Sequence, residues 1–312
     1  MLNRPVLILA LLLAFTLGTL SLNATAQTKP NTPPATPAAD PKAAAPAPEN
    51  QQSVEEILQN LNKEAAAGNP RAMIALGSIH ENADLSSRDY GAALNWFKKA
   101  ADKNLAEGHY KVGSFYEVGL GVKSNLKSAF QSFEKAANLG LSEAEFKLSQ
   151  LYAFGLGVNQ DQKKSLEYLN KAADKNYPPA LNELGVVNIL AQMGQKKDEK
   201  KAFELFTKGA EGGFSESMLN LGVIYRDGLG RPVNNVQALK WFLLARAFGS
   251  PTPGVAETII NTRDKLKPAE VKTAEKEATA WRDEQVKKAK AVADAAQAAQ
   301  AQNAANQDQK KR

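Results

Sequence analysis

Residues 108–122 read GHYKVGSFYEVGLGV, and the same pattern returns at residues 144–158 as AEFKLSQLYAFGLGV. One small residue recurs in the middle of the pattern at intervals of 36, 36, 36 and 37 positions: Gly77, Gly113, Ser149, Gly185 and Gly222. A fixed period of this length is typical of repeat architectures, in which each copy is one supersecondary unit. The sequence therefore predicts five consecutive units.

A second landmark keeps the same spacing and divides each unit into two helical segments. A small pair closes the units at Ala100-Ala101, Ala136-Ala137, Ala172-Ala173 and Gly209-Ala210. One helix pair cannot bury its apolar face alone, so neighbouring units must stack to build a continuous core. We therefore predict an all-α fold, an α-solenoid of about five helix-turn-helix repeats of about 36 residues with capping helices at both ends.

The glycines and the chain ends have predicted structural roles. The G-x-G pairs after the first helix of three units, at Gly119/Gly121, Gly155/Gly157 and Gly228/Gly230, favour left-handed C-caps and turns, and the small residue in mid-pattern favours a close helix crossing. Ser53 is the predicted N-cap of an opening half unit. Pro268 is the predicted start of a helix that carries Trp281 over the exposed face of the last repeat.

Laid in register, the units read A-x-x-x-L-G-x-x-Y-x-x-G-x-G-V, then A-x-x-[WYF]-[FL]-x-K-A-A-x-x-G. In these motifs the chain resembles the Sel-one-like repeat family, a relative of the tetratricopeptide repeats, over about residues 53–249. The resemblance implies a superhelix of antiparallel helix pairs that serves as a scaffold for protein assemblies. It implies neither catalytic residues nor a cofactor.

The first residues have the pattern of a secretory signal peptide. An uncharged apolar run at residues 6–20 follows Arg4, and Ala24 and Ala26 suit signal peptidase. The run of about 15 residues is shorter than the roughly 20 that a spanning helix needs. Because the chain has no cysteine, it has no lipidation site, and we expect a periplasmic or secreted protein cleaved after Ala26, with no transmembrane segment after cleavage.

These patterns give the expected domain organisation of the whole chain. It comprises a signal peptide (1–26), a Pro/Ala-rich flexible linker (27–52), a half unit (53–69), five units (about 72–107, 108–143, 144–179, 180–216 and 217–249), C-terminal capping helices (250–284) and an Ala/Gln/Lys-rich low-complexity tail (285–312).

The net charge of +6 is concentrated at the C-terminus. Residues 287–312 hold six basic and two acidic side chains, which is +4 of the total. The repeats themselves are nearly neutral, so nucleic acid is not an expected partner. The basic tail is expected to make at most a weak contact with an anionic envelope surface.

The predicted function is a non-enzymatic interaction scaffold of the cell envelope, whose partner is an envelope or secreted protein. In the geometry of the resembled family, variable first-helix positions line a concave groove that binds a protein segment. The residues predicted to contact the partner are His109, Lys111, Ser114, Val118, Lys147, Gln150, Phe154, Glu183, Val186, Asn220, Val223 and Asp227.

Two other functions remain open. One is a peptidoglycan- or glycan-binding envelope protein. The other is a secreted protein that binds or hydrolyses β-lactams, since Ser124 and Ser132 each begin an S-x-x-K motif. The companion S-D-N and K-T-G motifs are missing. The two histidines, His80 and His109, occupy non-equivalent positions, so the sequence predicts no metal site and no cofactor.

Overall fold

The computed structural model describes residues 53–310, so the predicted signal peptide and linker lie outside the described residues. The described part contains helices and no strand. The helices are α1 (Val54–Ala66), α2 (Pro70–Asn82), α3 (Tyr90–Asp102), α4 (Ala106–Val118), α5 (Leu126–Asn138), α6 (Ser142–Phe154), α7 (Gln162–Asp174), α8 (Pro178–Leu190), α9 (Glu199–Glu211), α10 (Ser215–Asp227), α11 (Asn235–Ala247), α12 (Val255–Arg263) and α13 (Pro268–Lys310). The all-α solenoid prediction is confirmed.

The helix pairs α2–α3, α4–α5, α6–α7, α8–α9 and α10–α11 form the five units. From residue 60 onward the chain is one compact unit. Each first helix begins two residues before the boundary that the sequence pattern placed; α4, for example, begins at Ala106 rather than Gly108. We call α2, α4, α6, α8 and α10 the inner helices and their partners the outer helices.

Polar caps start the outer helices, and glycine ends most of the inner ones. In every unit an Asp or Asn side chain accepts a hydrogen bond from the backbone N–H three residues later, at 2.9 to 3.0 Å: Asp89, Asn125, Asp161, Asp198 and Asn234. Gly119, Gly155 and Gly228 end their helices in the left-handed conformation, as predicted. These caps fix the length of each helix and hence the register between units.

In four of the five units the small residue of the inner helix is a glycine that packs against a ring of the outer helix. A Cβ at Gly113 would lie 2.8 Å from the ring of Phe133, and one at Gly185 would lie 2.5 Å from that of Phe206. Gly77 and Gly222 are equally close to Phe97 and Phe242. The predicted close crossing is confirmed, since any side chain at these positions would displace a fully buried ring.

Capping helices are present at both ends. Ser53 and Glu56 form a reciprocal capping box at the start of α1, with both hydrogen bonds at 3.2 Å. At the other end the ring centroid of Trp281 in α13 lies 5.4 Å from that of Trp241 and 5.9 Å from that of Phe248. The predicted cover over the last unit is therefore present.

Helix α13 extends through the predicted low-complexity tail to Lys310. The side chains of residues 286–299 are all exposed. No helix in residues 53–310 combines the length and the hydropathy needed to cross a membrane.

Candidate partner-binding face

Two of the predicted contact lysines connect successive inner helices. Lys111 Nζ of α4 lies 2.9 Å from Glu81 Oε2 of α2, and Lys147 Nζ of α6 lies 2.9 Å from Glu117 Oε2 of α4. Each lysine stands two residues before the small residue of its own unit, and each glutamate stands four residues after that of the preceding unit. We call the inner-helix surface that carries these pairs the inner face.

Both lysines also lie over aromatic rings. Lys111 Nζ is 5.4 Å from the ring centroid of Phe97, and Lys147 Nζ is 5.9 Å from that of Phe133. These distances are within the range of a cation–π interaction. Each lysine of the two pairs thus has both an acidic partner and an aromatic ring within reach.

The pattern of pairs stops at the fourth unit. Glu183 of α8 occupies the position of Lys111 and Lys147, and Ala153 of α6 occupies the position of Glu81 and Glu117. No side chain in residues 53–310 forms an ion pair or hydrogen bond with the Glu183 carboxyl. Burial raises the pKa of Glu183 to about 8 because the charged form is the one that loses hydration.

In the fifth unit two predicted contact residues are buried instead. Asn220 is 5% exposed and Val223 2%. Asn220 Nδ2 donates to Asn182 Oδ1 at 2.9 Å, and Ser217 Oγ donates to the same oxygen at 3.2 Å. The amide is therefore satisfied between α8 and α10, and neither Asn220 nor Val223 offers the surface that the sequence analysis expected of it.

The remaining inner-face residues retain exposed surface. Val118 and Phe154, which end α4 and α6, are 64% and 40% exposed. Asp227, which ends α10, is exposed and pairs with Arg226 at 2.7 Å. The three mid-helix positions are half-buried: Ser114, Gln150 and Val186.

His109 is not part of this arrangement. The charges that act on it belong to Lys135 of α5 and Asp102 of α3, both outer helices. Burial and Lys135 lower the pKa of His109, while Asp102 opposes them. The charged groups that act on His109 thus belong to outer helices and not to the Lys–Glu pairs.

The serines of the two S-x-x-K motifs are bonded to the backbone. Ser124 Oγ donates to the Glu117 carbonyl at 2.9 Å, and Ser132 Oγ donates to the Ser128 carbonyl at 2.8 Å. Neither hydroxyl is hydrogen-bonded to a lysine that could activate it. Within residues 53–310 no three His, Asp or Glu side chains are placed to hold a metal ion.

Sequence reasoning missed the acidic half of the Lys–Glu pairs, Glu81 and Glu117. It also missed Tyr110 and Tyr177. Burial raises the pKa of both side chains, and it raises the pKa of Tyr177 to about 12. The glutamates could have been found by comparing each unit with the next, since they recur 36 residues apart and precede the lysines by 30 residues.

Comparison with solved structures shows the same fold. The chain matches the protective antigen c5321 of uropathogenic Escherichia coli, which displays an SLR fold, with 31% identity and a TM-score of 0.63, covering 72% of this chain and 48% of that one. It matches a Sel1 repeat protein of Oxalobacter formigenes with 26% identity and a TM-score of 0.60, covering 67% and 60%. The chain thus spans about half to three fifths of the lengths of these two proteins. No curated protein sequence matches the chain.

The sequence model of the Sel1 repeat matches five consecutive segments of the chain, residues 70–105, 106–141, 142–177, 178–214 and 215–247. Each segment contains one of the five helix pairs. Sel1 repeat proteins are generally scaffolds for protein interactions rather than catalysts. Because the matched segments cover more than half of its length, the chain belongs to the Sel1 repeat family.

Proposed function

We propose that this protein is a non-enzymatic scaffold of the bacterial cell envelope that binds a segment of a partner protein along its inner face. The observation that carries the proposal is the pair of exposed apolar side chains, Val118 and Phe154, at equivalent ends of successive inner helices. Burying such side chains against a partner is favourable by about 25 cal/mol per Å² of apolar surface. The neighbouring Lys–Glu pairs would form a polar rim around that contact.

The location in the envelope rests on the signal-peptide pattern of residues 1–26. An exported scaffold meets its partners in the periplasm or outside the cell. The partner is therefore sought among envelope and secreted proteins, and peptidoglycan is tested alongside them.

The experiment is affinity capture from crosslinked envelope extract with three forms of the protein. The test variant is Val118→Ser with Phe154→Ser. The control variant is Leu85→Ser with Val233→Ser, which removes two exposed apolar side chains of the loops between helices. We expect one partner to be captured by the native protein and the control and lost with the test variant.

Capture of the same proteins by all three forms would contradict the proposal. Co-sedimentation of the native protein with purified peptidoglycan, retained in the control and lost in the test variant, would instead favour the glycan-binding function.

A further inference from the structure

The unpaired carboxyl of Glu183 stands at the position where the two preceding units carry a paired lysine. In two successive units a lysine at this position bonds a glutamate of the preceding inner helix at 2.9 Å. Glu183 stands at that position in α8 and faces Ala153 by the same register. The glutamate that pairs with the lysine in the two preceding units is therefore missing here, and Ala153 itself is buried.

The other charged groups around Glu183 are already engaged or exposed. On the adjacent inner helix α6, Lys147 is bonded to Glu117. On α10, Arg226 is bonded to Asp227. On the packed outer helices α7 and α9, the Asp, Glu and Lys side chains are exposed except Glu199, which pairs with Lys197, and the half-buried Tyr168 of α7 is neutral at pH 7.

No charge therefore balances Glu183 from any of these elements, and burial is the sole cause of its raised pKa. A carboxyl left without a counter-charge in a half-buried, partly desolvated position costs free energy in the unbound protein. The cost is removed when an external cation supplies the missing charge. Half-buried Val186, one turn further along α8, provides apolar surface for the methylene stem of such a side chain.

We infer that the half-buried, unpaired carboxyl of Glu183 forms a site for one basic side chain, lysine or arginine, of the bound partner segment. The inference rests on the proposed function, because it names the chemistry that the inner face selects. In such a segment the basic residue would pair with Glu183. Apolar residues next to it would pack against Val118 and Phe154 at the ends of α4 and α6.

The site makes partner binding dependent on pH. Below about pH 8 the Glu183 carboxyl holds a proton in the free protein. The partner's cation lowers that pKa, so the proton is released on binding. Affinity should therefore increase as the pH rises from 6 to 8, by up to about tenfold per pH unit, and become constant above that range.

The first test is a selection from a displayed random-peptide library at pH 8, with the native protein, Glu183→Gln and Glu216→Gln. Glu216 is a matched control because it is a half-buried acid of inner helix α10 that already accepts a hydrogen bond from Ser215. We expect peptides selected by the native protein and the control to share a lysine or arginine that is absent from those selected by Glu183→Gln.

The same basic consensus with all three forms would overturn the inference and leave the proposed function standing. Selection of no peptide by the native protein would count against the proposed function itself, and the inference would fall with it.

The second test titrates one selected peptide between pH 6 and 9. The native protein should bind more tightly with rising pH, and Glu183→Gln should bind at least about tenfold more weakly at pH 8 with no such pH dependence. A pH profile shared by the two forms would overturn the inference.

A third measurement needs no peptide. The unfolded chain releases the Glu183 proton near its ordinary pKa of 4.5, and the folded chain releases it only near 8. The folded state is therefore progressively disfavoured as the pH rises between these values. The melting temperature of Glu183→Gln relative to the native protein should increase from pH 5 to 8; a constant difference would show that Glu183 already has a counter-charge.

Discussion

At the scale of single residues, the small residue in the middle of the inner helix and the ring of the outer helix pack directly against each other. Four units pair glycine with phenylalanine, and a Cβ at any of these glycines would meet the ring. The third unit has Ser149 in the glycine position and Leu169 in the ring position, and both are buried. Serine is larger than the glycine of the other units, and leucine is narrower than their phenylalanine. The two changes compensate each other and keep the interior close-packed.

This exchange predicts that the two positions are coupled. Gly222→Ser and Phe242→Leu should each destabilise the protein by about 1 to 3 kcal/mol, the first by overpacking and the second by leaving a void. The double variant, which copies the third unit, should lose at least about 1 kcal/mol less than the sum. Urea unfolding followed by circular dichroism measures all three values.

A control separates this clash from a general effect of replacing helical glycine. Gly91 lies in the first turn of outer helix α3, where a Cβ would meet only the side-chain oxygen of Asp89, at 3.3 Å. Gly91→Ala should change the free energy of unfolding by less than about 1 kcal/mol. Additive losses at Gly222 and Phe242 would show that the pairing in the third unit is incidental.

Residue chemistry also shows why the candidate site was predicted only in part. Lys111 and Lys147 were recognised as variable inner-helix positions, but their partners Glu81 and Glu117 belong to the preceding units. Asn220 was expected on the surface because it occupies a variable inner-helix position, but its partner, Asn182, lies 38 residues earlier. Contacts between units cannot be read from one unit alone.

At the scale of helices, the termini were the most predictable feature. The left-handed glycines, the capping box at Ser53 and the cover by Trp281 all follow from local rules for helix ends. Helix α13 continues to Lys310 through the tail that begins at residue 285, although these residues lack an apolar stripe. Their Ala, Gln and Lys content has high helix propensity, and propensity alone accounts for this segment.

The two parts of α13 should therefore differ in their contribution to stability. Truncation after Gln285 removes side chains that are exposed throughout residues 286–299 and should change the free energy of unfolding by less than about 0.5 kcal/mol. Trp281→Ala should cost about 2 kcal/mol or more because it uncovers Trp241. Thermal unfolding of both variants beside the native protein measures the difference, and an equal loss in both would contradict it.

At the scale of the whole molecule, the repeat makes units interchangeable where their boundaries match. Leu141 precedes α6 with φ −77° and ψ 115°, and Tyr177 precedes α8 with φ −69° and ψ 114°. Deleting residues 142–177 therefore joins α5 to α8 with almost the same backbone geometry. Because each unit contacts mainly its neighbours, the shortened array should fold.

The deletion should also move Glu183 into a different electrostatic environment. In the shortened protein Glu183 takes the place of Lys147 and faces Glu117, so two carboxylates meet where an ion pair stood. Adding Glu183→Lys to the deletion variant restores a Lys–Glu pair and should stabilise it by about 1 kcal/mol or more at pH 8. For a chain of this size that is a rise of roughly 2 to 4 °C in the melting temperature.

The same substitution in the intact protein supplies the control, because there Ala153 stands at the register position that holds a glutamate in the two preceding units. Glu183→Lys should then give no comparable rise in the melting temperature at pH 8. Equal melting temperatures for the two deletion variants would mean that Glu117 and residue 183 do not meet. The charge pattern of the inner face would then be set by something other than the register between successive units.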